Sequence, residues 1–206
     1  MNTKINTKRK RVKFASDNVT GACPEVLEAV IKANDGIVPP YGNDEISGVL
    51  QEKFSKIFEK DVIVYPTASG TASNALALSA ISPSFGNIYC HKFSHINVDE
   101  CGAPEFYTGG AKLVPLNGED GKITTEELKN SIGGFGIVHH TQPSIVSITQ
   151  ATETGEVYTL EQIKNISEIT HKHNLKMHMD GARFANALVS LDVSPAEMTC
   201  CLLYTS

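Results

Sequence analysis

Short runs of branched apolar residues alternate with amphipathic segments along most of this 206-residue chain. Apolar residues spaced three and four apart predict helices, and short continuous apolar runs predict buried strands. The alternation predicts βαβ units with right-handed crossovers, and therefore an α/β fold in which a mostly parallel sheet is flanked by helices. The predicted strands are residues 61–65, 87–90, 112–115, 145–149 and 175–180, and the principal predicted helices are residues 24–33, 46–58, 71–82, 160–174 and 182–191.

The strand predicted at 175–180 ends on a carboxylate. Asp180 is followed by Gly-Ala and then by Arg183, which we expect in the first turn of the next helix. Open parallel sheets bind ligands at the carboxyl ends of their strands, so both side chains are expected in one crevice. A carboxylate suits the basic ring nitrogen of a cofactor, and an arginine suits a substrate carboxylate. The pair points to pyridoxal phosphate (PLP) as cofactor, although no lysine follows Lys176 to form a Schiff base.

Two further segments are expected at the same edge of the sheet. Ser69, Gly70 and Thr71 lie between a predicted strand and a predicted helix, where free N–H groups bind phosphate, although such residues also commonly cap helices. His95 follows a predicted strand, and its flat imidazole can stack on a cofactor ring or accept a proton. His91 and His95 are spaced like a helical metal pair, but no third ligand follows at a recognised spacing, so no metal site is predicted.

Charge is divided unevenly along the chain. Residues 1–13 carry only basic charges, and we expect them to be a solvated, disordered leader. The remainder is strongly acidic, which disfavours a nucleic-acid partner. No apolar run is long enough to span a membrane, so no membrane partner is expected. Five cysteines without paired metal spacing indicate reduced thiols and a cytoplasmic location.

Several motifs occur together in order along the chain. They are residues 16–22 (Ser-Asp-Asn-Val-Thr-Gly-Ala), 41–44 (Tyr-Gly-Asn-Asp), 69–74 (Ser-Gly-Thr-Ala-Ser-Asn), His95 with 99–103 (Asp-Glu-Cys-Gly-Ala), and 178–184 (His-Met-Asp-Gly-Ala-Arg-Phe). With these motifs the chain resembles the low-specificity threonine aldolases of the aromatic amino acid beta-eliminating lyase/threonine aldolase family. The resemblance implies fold type I of the PLP-dependent enzymes. Residues 14–199 are then expected to be the N-terminal part of its large domain, which is incomplete at the C-terminus.

The resemblance also implies how the cofactor would be held. Ser69, Gly70 and Thr71 would bind its phosphate, and His95 would stack on its pyridine ring. Asp180 would keep the ring nitrogen protonated, a catalytic role because the protonated ring withdraws electrons from the substrate.

The implied substrate is a small β-hydroxy-α-amino acid. Ser16 and Arg183 would bind its carboxylate, and Arg183 would also border the cofactor. His95, or His139 at the position of a second family histidine, is the candidate base. The implied reaction is cleavage of threonine or allo-threonine to glycine and an aldehyde, in a homodimer or homotetramer. Two alternatives stay open: β-elimination from another amino acid, and a non-catalytic PLP-fold binding protein.

The chain departs from the family pattern in its last part. The Schiff-base lysine should follow Arg183 after another helix and strand, and no lysine occurs there. As given, the polypeptide is therefore not expected to be a competent aldolase. Residues 201–206 back-translate to TGT-CTC-TTA-TAC-ACA-TCT, which resembles a transposase-end sequencing adapter. We therefore expect residues 200–206 to be a read-through tail.

Overall fold

The computed structural model describes residues 19–200 and residue 202. The basic leader 1–13, Ser16 and most of the tail 200–206 thus lie outside the described residues. The chain divides into two compact units, residues 1–48 and residues 49–206. The elements are α1 (Pro24–Ala33), α2 (Glu45–Phe58), α3 (Gly70–Ile81), β1 (Gly86–His91), α4 (His95–Val98), α5 (Ala103–Tyr107), β2 (Lys112–Leu116), α6 (Thr125–Ser131), β3 (Gln142–Thr149), α7 (Leu160–Lys172), β4 (Lys176–Asp180), α8 (Phe184–Leu191) and α9 (Pro195–Thr199).

The first unit contains α1 and the beginning of α2. Pro24 occupies the first position of α1, where its missing N–H costs no hydrogen bond. α1 has no buried residue. Asp44 caps α2, because its Oδ1 accepts the backbone N–H of Ser47 at 2.9 Å. Both predicted helices are confirmed, and α2 begins one residue earlier than expected.

The second unit is built on a four-stranded sheet with the strand order β2-β1-β3-β4. All three strand pairs are parallel. Ile88 of β1 lies opposite Leu113 of β2 and Ile145 of β3, and Val146 of β3 lies opposite Met177 of β4. Parallel neighbours need a crossover connection, and the intervening helices supply it. The expected α/β fold with a parallel sheet flanked by helices is confirmed.

Apolar side chains are buried on both faces of the sheet. Successive residues of a strand point to opposite faces, so neighbours in β1 enter different clusters. Ile88 packs in a cluster with Leu78 of α3. Tyr89 belongs to a larger cluster with Val146 of β3 and Ile163 of α7. Burial on both faces explains why the strands read as continuous apolar runs in the sequence.

The sequence predicts two capping boxes, Thr124 with Glu127 and Ser194 with Glu197, and one of them is complete. Ser194 and Glu197 satisfy each other's backbone N–H groups at the start of α9. Thr124 caps α6 by accepting the N–H of Glu127 at 3.1 Å, but the Glu127 carboxylate accepts the N–H of Asn117 instead. The box predicted at α6 is therefore only half formed. Among the described helices, none is long and apolar enough to cross a membrane.

The prediction of a strand at residues 61–65 is wrong. The segment is extended but joins no strand among the described residues. Its N–H groups bond instead to side chains of α2: Val62 donates to Ser55 Oγ at 3.3 Å and Val64 donates to Gln51 Oε1 at 3.1 Å. A β-branched run forms a strand only where a neighbouring strand accepts its N–H groups.

Candidate cofactor site at the carboxyl ends of the strands

Polar side chains gather where three neighbouring strands end. His95 begins α4 after β1, Glu153 follows β3, and Asp180 is the last residue of β4. Because the strands are parallel, their carboxyl ends share one edge of the sheet. This edge is where open α/β sheets bind their ligands.

Asp180 is held by two hydrogen bonds. It is 8% exposed, and its Oδ1 accepts the backbone N–H of Ala182 at 3.0 Å. Its Oδ2 accepts Nδ2 of Asn74 at 2.9 Å. These bonds fix the carboxylate at the end of β4, with one hydrogen bond to each oxygen.

The first turn of α3 is the expected phosphate site. Ser69 caps the helix, accepting the N–H of Ala72 at 3.2 Å, and Gly70 has open space where a side chain would begin. Thr71 is partly buried beside it. Asn74, the partner of Asp180, lies five residues after Ser69, which is about 7.5 Å along the helix axis. A small ring compound carrying a phosphate ester can span that distance, so the residues fit PLP.

His95 is fixed from two directions. Its backbone N–H donates to Glu153 Oε1 at 3.0 Å, and its Nδ1 lies 2.9 Å from Glu100 Oε1. The ring is 42% exposed, whereas the Glu100 side chain is fully buried. The imidazole therefore has one engaged edge and one accessible side.

Arg183 is oriented by the segment after β3. Its Nε donates to the carbonyl of Ala151 at 3.0 Å, and Nη2 lies 3.5 Å from Glu153 Oε1. The sequence predicted Arg183 in the first turn of α8. The helix begins at Phe184, so Arg183 is instead its N-cap. The guanidinium still reaches the same edge of the sheet as His95, since Glu153 contacts both residues.

Burial sets the protonation state of two strand residues, His178 of β4 and Cys90 of β1. Burial lowers the pKa of His178 to about 4, and the nearby Asp180 carboxylate opposes this shift only partly. The neutral ring lies 2.9 Å from Ser147 Oγ. Burial also raises the pKa of the Cys90 thiol to about 11, so this thiol is not an activated nucleophile.

The structure brings together most of the site residues expected from the sequence. Asp180 is linked through Asn74 to the helix that begins with the Ser69-Gly70-Thr71 turn. Arg183 and His95 share Glu153. Ser16, expected at the substrate carboxylate, lies outside the described residues.

His139 is not brought to this group. It is exposed, precedes β3, and borders a cavity with Asn87 and Lys112 at the amino ends of the strands. β3 has eight residues, and at about 3.3 Å per residue it separates the two edges of the sheet by roughly 23 Å. Within one chain, His139 and Asp180 therefore do not reach the same bound molecule.

The sequence alone assigned no role to three side chains of the site. Asn74 lies in the motif at 69–74 and Glu100 in the motif at 99–103, and Glu153 lies just beyond the strand predicted at 145–149. A polar residue after a buried strand is the only local signal that pointed to Glu153. Nothing local singles out Asn74, because its two partners are 26 and 106 residues away in sequence.

A family model described as beta-eliminating lyase matches residues 13–202 of this chain. The chain belongs to the beta-eliminating lyase family. Curated relatives include the low specificity L-threonine aldolases of Pseudomonas sp. (strain NCIMB 10558) and Pseudomonas aeruginosa, 42% and 41% identical over 186 residues. Each alignment covers 90% of this chain and 54% of the relative, so the chain spans about half the length of these relatives.

Solved structures of beta-eliminating lyase relatives and of aminotransferases have a similar fold. Threonine aldolase from Leishmania major matches with a TM-score of 0.82 and 25% identity, over 89% of this chain and 54% of that one. An archaeal alanine:glyoxylate aminotransferase matches with a TM-score of 0.52 and 19% identity, over 75% of this chain and 39% of that one. These neighbours have the architecture of fold type I, so the expected fold type is confirmed.

Proposed function

We propose that residues 14–199 are the N-terminal part of the large domain of a PLP-dependent aldolase. The enzyme cleaves threonine, allo-threonine and similar β-hydroxy-α-amino acids to glycine and an aldehyde. The observation that carries this proposal is the hydrogen bond from Asn74, which holds the buried Asp180 carboxylate about one turn from the N-terminus of α3. The relatives named as threonine aldolases support the choice of reaction.

The cofactor is proposed to be PLP. Ser69, Gly70 and Thr71 bind the phosphate, because the first turn of α3 offers free N–H groups and the positive end of the helix dipole. Asp180 would accept a hydrogen bond from the protonated ring nitrogen, and His95 would stack on the ring. When bound, PLP supplies an electron sink for the carbon–carbon cleavage.

The substrate is proposed to bind through its carboxylate. Arg183 is suited to this task because a guanidinium can pair with both carboxylate oxygens, and Ser16 is proposed as a second donor. Ala151 and Glu153 orient the guanidinium. His95 is proposed to accept the proton of the substrate β-hydroxyl, since its Nε2 makes no hydrogen bond within the described part of the chain.

We further propose a cytoplasmic homodimer or homotetramer that acts on a small amino acid. The free cysteines Cys23, Cys90 and Cys101 are consistent with a reducing compartment. The acidic remainder of the chain favours a small-molecule partner over nucleic acid. The family description keeps β-elimination as the alternative reaction.

The proposal is tested in a chimera that joins residues 14–199 to the C-terminal remainder of the Pseudomonas aeruginosa relative. We expect the chimera to release acetaldehyde and glycine from threonine, measured by coupling the aldehyde to NADH oxidation. His95→Asn should lower turnover about 10²- to 10⁴-fold, the typical contribution of a positioned base, and should lower PLP affinity less than turnover.

The matched control is His173→Asn, because His173 caps the C-terminus of α7 and makes no contact with the site residues. It should leave turnover unchanged. Pyruvate and ammonia as products would favour β-elimination, and unchanged turnover in His95→Asn would remove His95 as the base. The 206-residue chain alone is expected to show no turnover, because no lysine follows Lys176.

A further inference from the structure

Glu100 is a buried carboxylate that the proposed chemistry leaves without a role. It follows α4 by two residues and its side chain has no solvent exposure. Removing a carboxylate from water is costly unless hydrogen bonds compensate it. A buried carboxylate such as that of Glu100 is therefore expected to accept hydrogen bonds from specific donors.

Both bonds of Glu100 Oε1 lead to the site. It accepts Nδ2 of Asn74 at 2.7 Å and lies 2.9 Å from Nδ1 of His95. The carboxylate group offers an acceptor oxygen to the imidazole, which favours a proton on Nδ1, the ring nitrogen that faces Oε1. In a neutral imidazole the other nitrogen, Nε2, is then the atom with the free electron pair.

Asn74 extends this contact to Asp180. Its single amide nitrogen donates to Glu100 Oε1 and to Asp180 Oδ2, so both of its N–H hydrogens are used. His95, Glu100, Asn74 and Asp180 thus form one chain of hydrogen bonds. A group that stacks on a ring must keep its place relative to the residue that holds that ring, and such a chain provides this restraint.

We propose that Glu100 is a positioning residue that fixes His95 in its Nδ1-protonated tautomer, while Asn74 ties this pair to Asp180. The accessible Nε2 is thereby kept free to accept a proton. The value of this arrangement for catalysis rests on the function proposed above, whereas the tautomer itself does not depend on any cofactor.

The test is NMR of the 206-residue chain labelled with ¹⁵N-histidine, at a pH where free histidine is neutral. One-bond and long-range proton–nitrogen couplings identify which ring nitrogen carries the proton, and the His95→Asn variant assigns the His95 signals. We expect a proton on Nδ1 of His95 and none on Nε2. Glu100→Met should abolish this preference, because the methionine side chain is similar in length but offers Nδ1 no oxygen acceptor.

Glu105→Met is the matched control. The Glu105 carboxylate has a buried oxygen without a hydrogen-bond partner among the described residues, but it does not contact His95. We expect this control to leave the His95 tautomer unchanged. A His95 ring protonated on Nε2 in the unmodified chain would overturn the proposal, even if Glu100→Met failed to fold. A Glu100→Met variant that folds and keeps the Nδ1 proton would also overturn it.

Adding PLP separates this inference from the proposed function. If the His95 tautomer depends on Glu100 but PLP changes no ring signal, the positioning role stands and the proposed cofactor fails. If PLP shifts the His95 signals while the tautomer is the same in Glu100→Met, the cofactor proposal is supported and the role of Glu100 is rejected.

Discussion

At the scale of single residues, His178 shows how position controls chemistry. It lies two residues before Asp180 in the same buried strand, and burial lowers its pKa to about 4. The unfolded chain binds a proton at this ring below about pH 6.5, whereas the folded protein does not. The neutral histidine therefore contributes its full stability above pH 6.5, and this contribution is lost as the pH falls towards 4.

We expect His178→Asn to weaken the pH dependence of folding. Between pH 7.5 and 5.0 the free energy of unfolding should fall about 2 kcal/mol less than in the unmodified chain, as follows from the lowered pKa. Urea unfolding at the two pH values measures this difference. His139→Asn, at an exposed histidine, should retain the full pH dependence. Equal pH dependence in the chain with and without His178 would contradict the lowered pKa.

At the scale of elements, helix starts are set by local capping. Thr159 opens α7 with a complete box, because its hydroxyl accepts the N–H of Gln162 at 3.1 Å and the Gln162 side chain accepts the N–H of Thr159 at 2.9 Å. α7 contributes several residues to the larger core cluster, including Ile163 and Ile166. The stability of this helix end is therefore coupled to the core.

We expect Thr159→Ala to lower the free energy of unfolding by about 1 kcal/mol, the typical cost of losing an N-cap. The change should appear as a lower urea midpoint with an unchanged slope. Thr159→Ser keeps the hydroxyl and should stay within roughly 0.5 kcal/mol of the original chain. The capping explanation fails if the serine variant loses as much stability as the alanine variant.

At the scale of the whole molecule, burial is concentrated in the central strands. β1 and β3 each pair with a strand on both sides, and residues such as Ile88 and Ile145 are fully buried. In contrast, α1 has no buried residue, although it is similar in length to α7, which has several. Segments with few buried contacts open at low free-energy cost.

Hydrogen exchange followed by mass spectrometry should reveal this contrast. We expect peptides from β1 and β3 to exchange most slowly and those from α7 to be clearly protected. Peptides from α1 should exchange about a hundredfold faster than those from α7, because no residue of α1 is buried. Equal protection of α1 and α7 would show that α1 is held by contacts other than those described.

Much of the fold was accessible from the sequence because its signals are local. Apolar spacing and capping residues predicted α1, α2 and α3 to within a residue or two, and the short apolar runs predicted all four strands of the sheet. A parallel sheet then places the ends of neighbouring strands at one edge, which is why Asp180 and His95 could be chosen as site residues. These inferences depend on periodicity and chain order alone.

Only the tertiary structure decided which polar groups meet. The run at 61–65 has strand propensity, but whether it pairs depends on what lies beside it, and its N–H groups bond to α2. The imidazole of His139 could act as a base, but it lies before β3, whereas the other site residues lie at the carboxyl ends of the strands. Asn74, by contrast, joins residues 26 and 106 positions away. Local sequence determines what each segment can form, whereas hydrogen bonds between distant segments exist only once the sheet has brought them together.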